Sequence, residues 1–211
     1  MTQLFQVHPA NPQPRLLKQA VVLLERGGIA AVPTDSSYAL VCHLDDKAAA
    51  DALRRIRGVD DKHHLTLLCR DLSELANYAR VDNKQFRLLK AATPGPFTFI
   101  LDASKEVPRR LSHPSRKTIG LRLPDHKVIQ ELLGLHGAPL LATTLIAPGA
   151  TEPLNDASDI RTLMGHELAA IVDAGACFQQ PSTVVDLTAM GNGGQPVVLR
   201  LGRGNVALLG L

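Results

Sequence analysis

Apolar positions along the 211-residue chain recur at two different periods, and each change of period marks the edge of an element. From Pro12 to Arg26, Leu16, Ala20, Leu23 and Leu24 follow helical spacing, with Pro12 or Pro14 near the start and Gly27-Gly28 as a stop, which predicts a core-facing helix. Ile29 to Val32 and Leu40 to Cys42 are short apolar runs that flank a polar interruption, Pro33-Thr34-Asp35-Ser36-Ser37-Tyr38-Ala39. Pro33 lacks the N–H that a central ladder needs, so the interruption suits a strand exit. Its side chains allow two readings: a hairpin connection rich in turn formers, or a strand end that presents hydroxyls to a ligand.

Further on, Asp45-Asp46 offer N-cap chemistry to a helix through Ala49, Leu53 and Ile56 that Gly58 ends. Leu65 to Cys69 has strand length and precedes helices over Asp71 to Tyr78 and Asn83 to Ala92. Strands are expected over 97–101 and 118–123, then a helix Lys127 to Leu135 capped by Asp125 and closed by Gly137, and a strand over 140–144. A helix from about Ala157 to Glu167 and strands over 169–172, 183–187 and 197–201 complete the set, with the glycine-rich stretch Ala189 to Gln195 expected to be mobile surface. Helices alternating with strands indicate a layered α/β (α+β) fold, and the two adjacent early strands indicate a mixed sheet.

Composition narrows the class of protein. Hydrophobic residues at 45% against 20% charged are ordinary for a globular chain, and one domain of this length buries most of its unfolded surface. No apolar run approaches the roughly 20 residues of a membrane-spanning helix, and the first residues lack an export signal, so a cytoplasmic protein without a membrane partner is expected. Three distant cysteines, 42, 69 and 177, form neither a disulfide framework nor a metal-ligand spacing. The net charge of +3 permits an anionic partner without forming a dense basic stripe.

The cations are unevenly placed. Arg54, Arg55, Arg57, Lys62, His63 and His64 crowd one helix end and the loop after it. On a continuing helix Arg54 and Arg57 share a face, whereas Arg55 and Arg57 point to nearly opposite sides, so a ligand shared by Arg55 and Arg57 requires the helix to unwind near Ile56. Adjacent histidines diverge on any regular backbone, which argues against a metal pair at His63-His64. The G-x-S-x-G, G-x-x-x-x-G-K and G-x-G-x-x-G signatures are absent.

Six strings together resemble a known family. Pro33 to Leu40 is similar to the PTDTVYGL signature of the YrdC-like proteins, most closely to their YciO branch. Arg55-Ile56-Arg57 stands at the family's K-x-R, Thr93-Pro94-Gly95-Pro96-Phe97-Thr98 at W-P-G-P-x-T, and Thr118 to Pro124 at T-x-x-x-R-x-P. Pro181 to Asp186 stands at P-S-T-V-V-D and Val198-Leu199-Arg200 at V-x-R, so the likeness covers a single domain over about residues 10 to 205. The resemblance implies a twisted mixed β-sheet flanked by helices with a concave basic cleft. It also implies synthesis of threonylcarbamoyl-adenylate from L-threonine, bicarbonate and ATP, with Mg²⁺, for tRNA modification.

Carried over by position, Arg55 and Arg57 take the catalytic K-x-R place. Thr34 is implied at the threonine, Arg57 and Lys62 at the nucleotide phosphates, Thr118 with Arg122 at the threonine and carboxylate region, Ser182 again at the amino acid and Arg200 at the nucleotide, with Ser37 and Thr144 as further substrate- or nucleotide-binding residues. One or two extra residues separate Arg57 from Leu65 relative to the enzyme pattern, so His63 or His64 are alternatives to Lys62. Two departures stand out. Arg55 replaces a compact ammonium with a planar fork, and Ile146 of Thr144-Leu145-Ile146 replaces the amide of the family's S-A-N, which would forfeit about 1–3 kcal/mol for a ligand group left unpaired. The alternative function is a module that binds double-stranded RNA or tRNA through phosphates without turnover, and a third is a paralogue that binds a nucleotide or acyl-adenylate and does not turn it over.

Overall fold

The structure is a computed structural model that describes residues 2–108, 111 and 117–211. In chain order the elements are β1 (Gln3–Gln6), α1 (Pro14–Glu25), β2 (Ala30–Val32), β3 (Ala39–His43), α2 (Lys47–Arg57), β4 (Thr66–Leu68), α3 (Leu72–Tyr78), α4 (Asn83–Ala92) and β5 (Phe97–Asp102). They continue with β6 (Thr118–Arg122), α5 (Lys127–His136), β7 (Leu140–Thr144), α6 (Ala157–Met164), β8 (Ala170–Asp173), β9 (Thr183–Asp186) and β10 (Val197–Arg200). The strands form one twisted mixed sheet in the order β1-β8-β2-β3-β7-β4-β6-β5-β9-β10.

Local chemistry sets most boundaries. The Asp46 carboxylate accepts the Ala49 N–H at 2.9 Å to start α2, and Gly58, at φ 69°, ends it with an N–H that reaches the Arg54 and Arg55 carbonyls. A reciprocal capping box between Asp82 and Gln85 starts α4. Asp125 does not cap α5. Its N–H instead donates to the Asp35 carboxylate at 2.9 Å, and the N-cap position falls to His126, which makes no side-chain cap bond. In α1 the buried stripe is Leu17, Ala20, Val21 and Leu24, so the expected Leu16 and Leu23 lie half-buried on its flank. The stretch expected to be mobile around Ala189 contains a 3-10 turn over Thr188–Asn192 that buries Met190. The 183–187 and 197–201 strands each end one residue early, and α6 passes into a 3-10 turn over Gly165–Glu167.

Each face of the sheet packs its own core. On one face, Ala49, Leu53 and Ile56 of α2, Leu89 of α4 and Ile160 of α6 meet Ala31, Leu40, Leu67, Phe99 and Leu141. On the other, Leu17 and Leu24 of α1 and Val128 and Leu132 of α5 meet Val32, Val41, Leu140, Ala142 and Val172. That second cover does not span the whole sheet. Partners across a ladder share a face, and one registered row runs Val41, Ala142, Thr66, Gly120, Ile100. Val41 and Ala142 belong to the core beneath α1 and α5, whereas Thr66, Gly120 and Ile100 line a cavity. The cleft is therefore the part of this face that the two helices leave open. Among the described residues no helix is long and apolar enough to cross a membrane.

Candidate functional site

The open half of the face forms a cleft of about 320 Å³. Its floor carries Thr66, Leu68, Thr98, Ile100, Gly120 and Ala142, and Gly120 keeps the centre low, since a Cβ there would lie 3.0 Å from the Thr66 hydroxyl oxygen. The walls bring Ser37, Arg57, Lys62, Arg122, Thr144, Ser182 and Arg200 to the same cavity, together with His63, His64 and Ile146. Among the described lining residues there is no carboxylate.

Arg57 reaches the cleft because α2 stays helical through its last turn. Its Nε donates to the Thr144 carbonyl at 3.1 Å, which aims the guanidinium along the end of β7. Arg55, two residues earlier, diverges as the helical geometry requires: both of its terminal nitrogens meet the Glu167 carboxylate at 3.2 Å, and it is not among the residues lining the cleft. The helix does not unwind at Ile56, which is buried in the core. Partial desolvation at the wall lowers the pKa of Arg57, and that of Arg200 with a further contribution from Arg122. Both guanidiniums stay protonated, so their charge is available to an anion.

Arg122 is held from behind. Its side chain is 8% exposed, pairs with the Asp35 carboxylate, and donates to the hydroxyls of Ser36 at 2.9 Å and Thr34 at 3.1 Å. The polar interruption between β2 and β3 is a hairpin connection, since β2 and β3 pair antiparallel. The Thr34 and Ser36 hydroxyls brace Arg122 from behind, and Ser37 lines the cavity. At the opposite wall the Ser182 and Thr98 hydroxyls share a 2.8 Å hydrogen bond, and Arg200 donates to the Ser182 carbonyl at 2.9 Å.

Of the residues singled out from sequence, Ser37, Arg57, Lys62, Arg122, Thr144, Ser182 and Arg200 meet at one cavity. Thr34 and Thr118 sit one hydrogen bond behind it, Thr34 under Arg122 and Thr118 at 3.1 Å from His64 Nε2. Thr34 and Asp35 instead face a second cavity of about 290 Å³, shared with Cys177, Phe178 and Arg203, so the 33–37 loop stands between the two. Sequence reasoning missed Asp35 as the partner of Arg122, a contact 87 residues apart in the chain that no local pattern encodes. It also missed Thr143, whose hydroxyl lies 3.4 Å from His63 Nε2.

The Sua5/YciO/YrdC family model, described as telomere recombination, matches residues 22–202. The chain is 47% identical over 206 residues to the uncharacterised protein YciO of Escherichia coli, covering 98% of each, and its fold matches the crystal structure of E. coli YciO with a TM-score of 0.94 over 99% of both chains. It is 32% identical over 196 residues to threonylcarbamoyl-AMP synthase of Bos taurus, covering 88% of this chain and 70% of that one. A structure of P. abyssi Sua5 complexed with L-threonine shares the fold, with a TM-score of 0.85 at 24% identity, and this chain spans 58% of its length.

Proposed function

The chain belongs to the Sua5/YciO/YrdC family, and on that premise we propose that its cleft binds ATP and an acyl-adenylate in a reaction of the threonylcarbamoyl-AMP synthase type. The observation that carries the reading is the meeting of three guanidiniums, Arg57, Arg122 and Arg200, with the hydroxyls of Ser37, Thr144 and Ser182 in one cavity whose described lining holds no carboxylate. Such a receptacle favours a polyanion that also has groups able to pair with hydroxyls.

The chemistry needs little more than this. The amine of the amino acid attacks the carbon of bicarbonate and water leaves, an oxygen of the resulting N-carboxylate attacks the α-phosphorus of ATP, and the bond to pyrophosphate breaks, so the products are the adenylate, pyrophosphate and water. Catalysis is then chiefly alignment and neutralisation of phosphate charge. Arg57, fixed by its bond to the Thr144 carbonyl, stands in place to meet phosphate oxygens, with Lys62 at the rim. Arg122, oriented by Asp35, Thr34 and Ser36, suits the carboxylate of the amino acid, and Ser182 with Arg200 forms the facing wall. The described lining offers hydroxyls but no carboxylate to hold Mg²⁺, so the ion would enter on the nucleotide's own phosphates. Arg55, paired with Glu167, would join the phosphates only after leaving that partner.

Ile146 lines the cavity where the synthases of the family carry an amide. The test is pyrophosphate release from ATP, L-threonine and bicarbonate by the wild-type protein and by Ile146→Asn. We expect release from both, faster from Ile146→Asn by about 5- to 150-fold, the equivalent of about 1–3 kcal/mol. No release from either, together with RNA-duplex binding that falls steeply with salt, would move the assignment to the RNA-binding reading.

A further inference from the structure

We propose that His63 is a ligand group at the phosphate end of the cleft and that it takes up a proton from solvent when an anionic ligand binds. The inference rests on the nucleotide-binding reading above.

The turn that carries His63 is built. The Asp60 carboxylate accepts the N–H groups of Lys62 at 3.0 Å and His63 at 3.1 Å. Arg54, on the same face of α2 as Arg57, donates to the carbonyls of Asp60 at 2.8 Å and His63 at 3.1 Å. The first two bonds close the turn and the Arg54 pair ties it to the end of α2, beside Arg57, and His63 lines the same cavity. Its Nε2 lies 3.4 Å from the Thr143 hydroxyl of β7. A hydroxyl both donates and accepts, so Thr143 is a partner for either protonation state of the ring.

The groups facing this imidazole come from three directions. From α2 stand Arg57 and Arg54, both cationic; from its own turn stand His64, with the Asp60 carboxylate opposing; from β7 comes only the neutral Thr143. Partial desolvation and the neighbouring cations lower the His63 pKa, which keeps the ring neutral at physiological pH. Phosphate oxygens placed against Arg57 reverse the sign of that local field. The imidazolium then gains a charge-assisted N–H donor to the anion, and its protonation becomes coupled to binding. His64 lines the same cavity, with its Nε2 3.1 Å from the Thr118 hydroxyl of β6.

The experiment is calorimetric titration of the full-length protein with adenosine 5′-phosphosulfate, an adenylate anhydride whose anionic groups stay ionised across the range used. Titrations run from about pH 6 to about pH 8, in buffers of different ionisation enthalpy. We expect net proton uptake by the wild type near neutral pH and affinity that rises toward acid by up to about tenfold per pH unit. In His63→Gln, which keeps a partner for Thr143, we expect no uptake and a pH-independent affinity close to the alkaline value of the wild type. Binding by the wild type without proton uptake, or equal uptake by His63→Gln, overturns the inference and leaves nucleotide binding intact. Absence of binding of this probe and of ATP to the wild type at every pH overturns both.

Discussion

Asp35→Asn isolates the contact on which the cleft's deepest cation depends. The two side chains of the Asp35–Arg122 pair are 9% and 8% exposed, so the substitution leaves a guanidinium buried without its counter-charge. Breaking a buried pair by removing one partner costs about 3–5 kcal/mol. The asparagine oxygen replaces only one of the two carboxylate oxygens, which separately accept from Arg122 and from the Asp125 N–H, while the Thr34 and Ser36 hydroxyls still accept from the guanidinium; the expected loss is about 3 kcal/mol. For a chain of this length each kcal/mol moves the melting point by about 2–4 °C, so Asp35→Asn should melt about 6–12 °C below wild type. Urea denaturation of the wild type, Asp35→Asn, Arg122→Met and the double variant closes a thermodynamic cycle. The double variant should be at least as stable as Asp35→Asn, because it no longer holds a lone buried charge. A melting point for Asp35→Asn within about 1 °C of wild type would show that Arg122 needs no carboxylate and refute the reasoning.

Two other outcomes follow from the same geometry. Gly120→Ala sets a methyl group 3.0 Å from the Thr66 hydroxyl oxygen at the floor of the cleft; nucleotide affinity by calorimetry should fall, while stability in urea changes by no more than about 1–3 kcal/mol, and an unchanged affinity would mean that the ligand does not reach the floor. The Asp71 and Asp156 carboxylates are held below the ordinary range, Asp71 first by the Glu74 N–H and Asp156 first by the Ser158 hydroxyl. A depressed carboxylate contributes stability above its unfolded pKa and loses it as pH falls through the folded value. Asp71→Ala should therefore cost about 0.5–2 kcal/mol at neutral pH, and urea midpoints should show the gap to wild type closing on acidification below the usual carboxylate range; a gap constant with pH would contradict the capping account.

The helices were legible where side-chain chemistry marks both ends. Asp46 and Gly58 bound α2, and Asp82 starts α4, each through a contact within one turn of the chain. The mixed sheet was legible from the pairing of β2 with β3, but β1 was not. Gln3-Leu4-Phe5-Gln6 is a short edge strand with one fully buried side chain, and it pairs in parallel with β8 more than 160 residues away, a contact without a local signature. The same distinction runs through the site. Motif order identified the residues that converge, because each string marks a strand end or a helix end beside the cleft. It did not say which hydroxyls face the cavity and which brace a cation from behind, as Thr34 does for Arg122. Nor did it show that Arg55 lies against Glu167, a partner 112 residues away, although helical spacing already separated it from Arg57.

The most direct test of the account is a calorimetric titration of ATP into the wild type and into Arg57→Ala, with Arg70→Ala, an exposed cation outside the cleft, as control. Loss of a charge-assisted contact worth about 1.5–3 kcal/mol predicts affinity about 10- to 150-fold weaker for Arg57→Ala and unchanged for Arg70→Ala. Equal weakening by both variants, or none by Arg57→Ala, would mean that the nucleotide does not occupy the cleft.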